Sequence, residues 1–415
     1  MRKVVLLAAA LVVALGVGAS SATSASSETG ITARTIKIGG SFPLTGPASQ
    51  YSTIPTAMKA YFSYINARRG VDGKRGVYGR QIVFNIYDDG YNPAQTVQQA
   101  RRLVEQDKVF AIVGQLGTEH NEAIRPYVTS NKVPQVLNAT GASTWFNDFR
   151  KYPWTGGWFP DYEFEARLYG QAIARNSPNA KIAVLLQNDS FGEDNLRGLR
   201  SGLGAKASNI AAIERYEVTA VDVRSQIARL RASGATVLFI VATPRFAIQS
   251  YVIANALGWR PPVIYTTLVA ATDTFLSLAQ RSGAGELVNN TYSAAYLKDP
   301  ANPKWDNDAG MRLYRQVMSK YYPSGNAKDG LNLYGVAAAH AFVQLMYKAG
   351  KNPTRASLMK AYRSWNEPNR FLLPGNRQKT SGNDQRPVAC ERIIKFTDGT
   401  FQPVSKLKCA GAAGT

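Results

Sequence analysis

The sequence predicts an α/β protein with two doubly wound lobes, each built on a parallel-sheet core. Short apolar runs alternate with helical stretches from residue 35 to residue 138, and the alternation restarts after a break. The break is the segment FRKYPWTGGWFPDYEFEA, which is rich in Pro, Gly and Trp. A repeated order of strand, helix and strand implies parallel strands with helices on both faces of a sheet.

The elements of the first lobe follow one another closely. The predicted strands are TIKIGGSF, RQIVFNIYDD, VFAIVG and VPQVLN. The predicted helices are residues 57–68, NPAQTVQQARRLVEQ and NEAIRPYVTSN. Apolar residues at Val97, Leu103 and Val104 give the second of these helices an amphipathic spacing.

The second lobe repeats the pattern after the break. The predicted strands are KIAVLLQND, IERYEV, TVLFIVAT and PVIYTT, and the predicted helices are EFEARLYGQAIARN, NLRGLRSGLGAK, VRSQIARLRASG and PRFAIQSYVIANALG. A long helix over residues 331–349 and the segment FLLPG come later. Because ligands bind open parallel sheets beyond the carboxyl ends of the strands, YDDGYNP, QNDSFGED and IVGQLGTEHNEAI are candidate binding loops.

The N-terminus carries the pattern of a secretory signal peptide. Residues 1–25 contain Arg2 and Lys3, then the apolar run VVLLAAALVVALGVGA, then small residues with Ala22 and Ala25 at plausible cleavage points. We therefore expect an exported protein that is soluble after cleavage and lies in the periplasm or at the cell surface.

Export permits disulfides, and the chain has two cysteines. Cys390 and Cys409 flank IIKFTDGTFQPV, which is typical of two short strands around an Asp398-Gly399 hairpin turn. A disulfide that joins the two arms is the preferred interpretation, and two unpaired thiols are the alternative.

The formal net charge of +21 raises the question of a nucleic-acid partner. The Lys and Arg residues are dispersed along helix faces and mixed with acids, and no zinc-finger spacing or basic-aromatic repeat is present. We expect a solvated basic surface and no nucleic acid. Attraction to an anionic cell surface or an acidic ligand is the alternative.

The residues needed for common catalytic sites are scarce. There are two histidines, His120 and His340, and the chain has no G-x-S-x-G, HExxH or G-x-G-x-x-G motif. No catalytic residue, metal site or cofactor is predicted. A secreted hydrolase that uses His120 and a nearby Ser or Thr is a weaker alternative to reversible ligand binding.

The loop after the VFAIVG strand is the strongest candidate for an anion site. Gly117 and Thr118 precede a helix, an arrangement that exposes backbone N–H groups and one hydroxyl at a helix N-terminus. A local role, in which Thr118 only caps its own helix, is the alternative.

Several segments together resemble one family. IKIGGSFPLTGPASQYS, INARRGVDGKRGVYGRQIVFNIYDDGYNPAQTVQQARRLVEQDKVFAIVG, VPQVLNATGAS, KIAVLLQNDSFGEDNLRGLRSGLG, SAAYLKDPANPKW and LNLYGVAAAHAFVQLM are similar to the periplasmic Leu/Ile/Val-binding proteins of ABC transporters. The resemblance implies a type I periplasmic-binding fold whose lobes are joined by three crossovers, near Pro153, Tyr292 and Phe371. The first lobe would then be residues 31–153 and 292–370, and the second residues 154–291 and 371–409.

The resemblance also implies a set of ligand contacts. Thr118 would hold a ligand carboxylate through its hydroxyl and backbone N–H, and Gly141 stands where the family has a hydroxyl, for which Thr140 or Ser143 would substitute. Phe191 would be the aromatic that the second lobe brings down on closure. The expected contacts are Tyr51, Leu116, Gly117, Thr118, Ala139, Thr140, Gly141, Phe191, Thr243 and Leu268.

One departure from the family concerns the ligand amine. Leu268 occupies the region where the amino-acid binders carry an acid for the ammonium group, and Asp273 is expected to cap the next helix. Because an unpaired buried ammonium is costly, a carboxylate without an amine is the preferred ligand, and an amino acid is the alternative. Glu193 and Asp273 are the acids to suspect if an amine is bound.

The aromatic residues of the first crossover add to that preference. Trp154, Trp158, Phe159 and Tyr162 are expected to form an apolar wall, or else to pack only in the hinge. The resemblance implies a monomer that delivers a small carboxylate to an ABC permease. A sensor of the same fold, which signals to a membrane partner, is the alternative.

Overall fold

A computed structural model describes residues 28–411 of the chain. The predicted signal peptide, residues 1–25, lies outside the described residues. Within residues 28–411, none of the helices combines the length and the apolar character that crossing a bilayer requires.

The first sheet has five parallel strands in the order β2-β1-β3-β4-β5. These strands are β1 (Thr35–Phe42), β2 (Gln81–Asp88), β3 (Ala111–Val113), β4 (Gln135–Asn138) and β5 (Thr155–Gly157). The helices between them are α1 (Thr53–Ala67), α2 (Pro93–Arg101), α3 (Thr118–Ser130) and α4 (Thr144–Asn147). All three residues of β3 are buried, as expected for a strand covered on both faces.

Local sequence signals set the ends of these helices. The Asn92 side chain accepts hydrogen bonds from the N–H groups of Ala94 and Gln95 at the start of α2, and Pro93 is the first helical residue. The final turn of α2 continues as a π-helical turn over Arg102–Gln106. The predicted order of strands and helices in this lobe is confirmed.

The second sheet has the order β14-β13-β10-β9-β8-β6-β7, in which β13 and β14 run antiparallel to their neighbours. Its strands are β6 (Ile182–Gln187), β7 (Ile210–Tyr216), β8 (Val237–Val241), β9 (Val263–Thr266), β10 (Thr291–Ala295), β13 (Cys390–Thr397) and β14 (Thr400–Pro403). Its helices are α5 (Tyr162–Asn176), α6 (Ser190–Leu203), α7 (Arg224–Ala232), α8 (Pro244–Ala256) and α9 (Asp273–Ala279).

Strand β6 shows why this sheet needs helices on both faces. Ile182, Val184 and Leu186 belong to the apolar cluster shared with α5 and α6, whereas Ala183 and Leu185 belong to the cluster shared with α7 and α8. Successive side chains of a strand point to opposite faces, so an uninterrupted apolar strand fills two layers.

The chain passes between the two sheets three times: after β5, after β10 and before β13. Helices α10 (Ala309–Tyr321), α11 (Gly330–Ala349) and α12 (Arg355–Arg363) lie between the second and third passages, and α10 and α11 pack against α1. The long tail helix thus covers the first sheet.

The sheet pairing corrects two of the expected lobe boundaries. Residues 155–157 pair with β4 in the first sheet, although the sequence assigned them to the second lobe. Residues 292–295 pair with β9 and β13 in the second sheet, although the sequence assigned them to the first. The backbone hydrogen bonds of both segments decide these assignments, and the remaining division of the chain into lobes stays a prediction.

The C-terminal region contains short strands. A hairpin is formed by β11 (Asn366–Glu367) and β12 (Gln378–Lys379), and β15 (Lys408–Cys409) pairs with the beginning of β13. A disulfide joins Cys390 and Cys409. The expected Asp398-Gly399 turn connects β13 to β14, so the disulfide ties β13 to the third strand β15 and not to the other arm of the hairpin.

Candidate functional site

A cavity lies where the loops of both sheets meet. Its volume is about 170 Å³, counted as the space that the centre of a water molecule can reach. Eight of the ten expected ligand contacts line it, and they come from both sheets. These residues are Tyr51, Leu116, Gly117, Thr118, Ala139, Phe191, Thr243 and Leu268.

Most of the remaining lining is apolar or aromatic. Such a wall can enclose an apolar ligand body, whereas a few polar groups orient it. The aromatic residues of the lining, in addition to Tyr51 and Phe191, are Tyr91, Phe159, Tyr162, Tyr296, Tyr334 and Phe401.

The first-lobe edge of the cavity is the N-terminus of α3. Gly117 precedes the helix with a φ of 98°, which favours glycine, and an added Cβ would lie 2.4 Å from the Nδ1 atom of His120. No side chain caps α3, and the Thr118 hydroxyl instead lies 2.8 Å from the Thr140 hydroxyl. The alternative in which Thr118 only caps its helix is therefore not what the structure shows. The first N–H groups of α3 lie at the N-terminus of the helix, where the helix dipole favours negative charge.

Buried polar side chains hold this edge in place. The Asn121 amide donates to the carbonyl oxygens of Gln115 and Gly117 at 2.9 and 2.7 Å. Gln115 in turn accepts a hydrogen bond from the N–H of Ser41 at 2.9 Å. The loop is thus fixed by its own hydrogen bonds and does not need a ligand to order it.

Thr140 and Gly141 lie behind the cavity wall and do not line it. An added Cβ on Gly141 would lie 1.9 Å from the carbonyl oxygen of Pro160, so this position is fixed by close packing. The proposed substitute Ser143 is also engaged, because its N–H donates to the Asp194 carboxylate at 2.6 Å. Direct ligand contact by Thr140 and Gly141 stays a prediction.

The second-lobe contacts lie at the ends of β6, β8 and β9. Phe191 is the second residue of α6, is 4% exposed, and its ring centroid lies 4.9 Å from that of Tyr162. Thr243 precedes Pro244 at the start of α8, and its N–H donates to the Tyr216 hydroxyl at 3.1 Å. The Leu268 N–H donates to the buried carboxylate of Glu165 at 2.7 Å.

Hydrogen bonds join the two lobes directly beside the cavity. The Tyr51 hydroxyl donates to the Val269 carbonyl at 3.0 Å. The Ser190 hydroxyl donates to the Glu122 carboxylate at 3.2 Å, and Asp194 accepts from Ser143 as described above. These contacts join the first-lobe edge to the loops and helix of the second lobe.

The structure corrects the expected role of Asp273. Thr272 caps α9, through a hydrogen bond from the N–H of Phe275, and Asp273 lines the cavity. One Asp273 oxygen accepts from the N–H of Phe401 at 3.1 Å, and the other is buried without a partner. Burial, together with the neighbouring carboxylate of Asp299, raises the pKa of Asp273 to about 7.

The aromatic wall is confirmed only for part of the predicted cluster. Phe159 and Tyr162 line the cavity, whereas Trp158 is fully buried and donates to the side chain of Gln378 at 2.7 Å. Trp154 packs, partly buried, against the apolar cluster and is not part of the lining. Glu193, the other acid suspected of binding an amine, instead forms a surface ion pair with Arg215 at 2.6 Å.

His120 does not form a catalytic arrangement with the described residues. It is 2% exposed, stacks 4.1 Å from Tyr91, and neither ring nitrogen has a hydrogen-bond partner among residues 28–411. Burial lowers its pKa to about 4, so the ring is neutral near pH 7. This environment does not support the hydrolase alternative.

Several lining residues were not identified from the sequence. Tyr91 lies in the YDDGYNP loop with a φ of 57°, and that loop was already a candidate because it ends a strand. Tyr296 and Asp299 follow β10 at a passage between the sheets, and Tyr334 lies within α11. No local pattern distinguishes these residues from ordinary core or loop positions.

Comparisons with known proteins agree with this architecture. The family model described as periplasmic binding protein matches residues 35–400. The Leu/Ile/Val-binding protein homolog 7 of Brucella abortus (strain 2308) is 23% identical over 239 residues, which are 55% of this chain and 57% of the relative. The alignment thus spans little more than half the length of that curated relative.

Two solved structures show a similar fold. A branched chain amino acid ABC transporter protein from Thermus thermophilus, with bound valine, gives a TM-score of 0.77 at 18% identity and covers 92% of this chain and 98% of its own. A fatty acid ABC transporter substrate-binding protein from Thermomonospora curvata gives 0.75 at 20% identity, with coverages of 93% and 95%. The predicted two-lobed type I periplasmic-binding fold is confirmed.

Proposed function

Because the chain belongs to the periplasmic binding protein family, we propose that it is the extracytoplasmic solute receptor of an ABC transporter. Two lobes close over a small carboxylate ligand and deliver it to a membrane permease. The observation that carries this proposal is the cavity that loops of both sheets line together, with the uncapped N-terminus of α3 at its edge.

The carboxylate is assigned to the first-lobe edge. There the Thr118 hydroxyl and the first N–H groups of α3 can donate to an anion, and the helix dipole favours negative charge at this end. Leu116, Gly117 and Ala139 line the cavity beside it, and Leu116 and Ala139 are paired through a backbone bridge.

The apolar wall is assigned to the body of the ligand. The similar structures support this division, since one contains bound valine and the other is the substrate-binding protein of a fatty acid ABC transporter, and valine and fatty acids share a carboxylate attached to an apolar body. The preferred ligand is an aromatic or other organic acid without an amine, because Leu268 leaves its part of the lining apolar.

A second ligand class is an amino acid, and Asp273 is the observation that favours it. Its carboxylate lines the cavity and has an oxygen without a partner, so a ligand ammonium could pair with it. Against this, Asp273 already accepts from Phe401 and lies beside Asp299, and two neighbouring buried acids favour retention of a proton over two negative charges.

Calorimetric titration with matched probes tests the choice. We expect 3-phenylpropionate to bind more tightly than phenylalanine, which differs from it by the amine, and the Asp273→Asn variant to leave the affinity for 3-phenylpropionate unchanged. If phenylalanine binds more tightly and Asp273→Asn removes its advantage, the ligand is an amino acid and Asp273 is its ammonium partner.

The remaining features of the proposal follow from this role. The protein works after export and acts as a monomer, without a cofactor or nucleic acid. Its partners are the ligand and the permease. A pull-down of the permease that depends on added ligand tests the delivery step, because closure has to change the surface that the permease contacts.

A further inference from the structure

Three tyrosines surround one phenylalanine in the wall of the cavity. The ring centroid of Phe159 lies 5.8 Å from that of Tyr162, 5.7 Å from that of Tyr296 and 5.9 Å from that of Tyr334. All four residues line the cavity. They come from the first passage between the sheets, α5, the segment after β10, and α11, so four separate parts of the chain meet here.

The hydroxyl groups of this cluster lie in a strongly desolvated environment. Burial raises the pKa of Tyr296 and Tyr334 well above the ordinary range. After burial, the nearby Tyr334 hydroxyl raises the pKa of Tyr296 most. In the same way, the Tyr162 hydroxyl raises the pKa of Tyr334. The three tyrosine rings pack against the same phenylalanine, and all three hydroxyls, whose pKa is raised above the ordinary value, stay protonated at neutral pH.

Tyr334 is the member whose hydroxyl is unsatisfied. The residue is 5% exposed, and its hydroxyl oxygen is buried without any hydrogen-bond partner in the described residues. A hydroxyl can donate one hydrogen bond and accept others, and burying it without a partner costs stability. A phenylalanine would fill the same space without this cost, so the Tyr334 hydroxyl is suited to a partner that residues 28–411 do not supply.

We infer that the tyrosine cluster is a second polar subsite, in which Tyr334, with Tyr296 beside it, binds a neutral hydroxyl or carbonyl oxygen on the apolar body of the ligand. This subsite rests on the proposed function, because it assumes that the ligand carboxylate occupies the Thr118 edge. A buried group that is satisfied only by the correct ligand discriminates strongly against an analogue that lacks the matching atom.

The direct test is a titration with probes that vary the two polar groups separately. The probes are 3-phenylpropionate, its 2-, 3- and 4-hydroxyphenyl analogues, and the primary amides of all four acids. We expect at least one hydroxyphenyl acid to bind about tenfold more tightly than 3-phenylpropionate, which corresponds to one additional hydrogen bond. If none of the hydroxyphenyl acids binds more tightly than 3-phenylpropionate, the assignment of the subsite is wrong.

The Tyr334→Phe variant tests whether the Tyr334 hydroxyl binds the hydroxyl group of the probe. The variant should remove the tenfold advantage of the hydroxylated probe and leave the affinity for 3-phenylpropionate unchanged. Persistence of the advantage in Tyr334→Phe contradicts the assignment. Tyr251→Phe is the matched control, because Tyr251 is also buried but bonds to the Thr291 hydroxyl at 2.9 Å and does not line the cavity. It should leave the preference among the probes intact.

The amides separate this inference from the proposed function. If amides bind as tightly as acids, the carboxylate assignment fails, while the effect of the hydroxyl is still measured within the amide series. If acids bind better than amides and the hydroxyl has no effect, the subsite fails alone. Absence of binding by all eight probes contradicts both.

Discussion

The two polar regions of the cavity wall differ in how their hydrogen bonds are completed. At the first-lobe edge, the Thr118 hydroxyl is paired with Thr140, and Asn121 holds the loop through two carbonyl oxygens. At the opposing region, Tyr334 and one oxygen each of Asp273 and Asp299 are buried without partners among the described residues. The side chains that hold the loop of the first region are paired with one another and leave the N–H groups at the start of α3 uncapped, whereas in the second region side-chain oxygens lack partners.

This difference shows what kind of chain segment builds each region. The first-lobe edge is one loop followed by a helix, and its polar side chains pair with one another, with β1 and with the loop after β4. The tyrosine cluster and the two aspartates come from the starts of α5 and α9, the segment after β10 and α11, and no residue among 28–411 pairs with the buried oxygens of Tyr334, Asp273 and Asp299 named above. Buried polar groups without partners are uncommon in folded proteins and are frequent at functional sites.

The largest effect is expected at the packed first-lobe edge, from Gly141→Val. An added Cβ would lie 1.9 Å from the Pro160 carbonyl oxygen, so the backbone has to move. We expect the free energy of unfolding to fall by about 3 kcal/mol, measured by urea denaturation. Gly382→Val is the control, because Gly382 also has no positive φ and an added Cβ there meets no atom within 4 Å, so this variant should lose less. Equal losses in the two variants would mean that Gly141 is not held by packing.

Thr118→Ala should have the next largest effect, on ligand affinity. Loss of a hydrogen bond to a carboxylate costs roughly 1.5–3 kcal/mol, which is more than a tenfold increase in Kd. Thr118→Ser keeps the hydroxyl and should bind nearly as well as the native protein in the same titration. Unchanged affinity in the alanine variant would remove Thr118 from the site.

The incomplete region extends behind the wall to Glu391, whose two carboxylate oxygens are buried without partners. Burial raises its pKa, and so do Glu165 and Asp161 beside it, although Asp161 is paired with Arg386 at 2.7 Å. Tyr169 and Tyr296 are the tyrosines close to both glutamates. Glu391 therefore keeps its proton to a higher pH than an exposed glutamate does.

The sign of the pH effect follows from this pKa. An acid whose pKa is higher in the folded than in the unfolded state lowers the free energy of unfolding as pH rises above the unfolded value of about 4.3. The Glu391→Gln side chain is neutral at every pH. The free energy of unfolding of this variant, relative to that of the native protein, should therefore rise by about 1–2 kcal/mol from pH 5 to pH 8. Urea denaturation at the two pH values measures the gain. The same pH dependence in both proteins would show that Glu391 does not carry it.

The smallest effect is expected for the ligand-free Tyr334→Phe variant. Removing a buried hydroxyl without a partner should leave the melting temperature unchanged or raise stability by up to about 1 kcal/mol. Tyr251→Phe breaks an existing hydrogen bond and should lose about 1 kcal/mol. A comparable loss in Tyr334→Phe would mean that the hydroxyl has a partner in the protein, and the contrast between the two regions would not hold.

The sequence predicted the regular part of the fold more closely than the site. The predicted strand TIKIGGSF coincides with β1, and the predicted helix over residues 331–349 differs from α11 by one residue, because apolar periodicity is a local property. The short strand β5 was not predicted, because Thr155–Gly157 forms a strand only through its pairing with β4.

The same distinction applies to the cavity. Thr118 and Gly117 were identifiable because a strand, a glycine and a helix start stand next to each other in the sequence. Asp273 was misassigned as a cap, because the adjacent Thr272 takes that role and frees the aspartate to face the cavity. Tyr296 and Tyr334 meet only through the passages between the sheets, which no local pattern fixes.

A thermal-shift titration that compares carboxylates with their primary amides tests the central claim most directly. Aromatic and aliphatic acids without an amine, such as 3-phenylpropionate and hexanoate, should raise the melting temperature with increasing concentration, because a ligand that binds only the folded state stabilises it. Their amides should have little effect, and Thr118→Ala should reduce the shift. Equal shifts with acids and amides, or no shift with any carboxylate, would contradict a carboxylate-binding receptor.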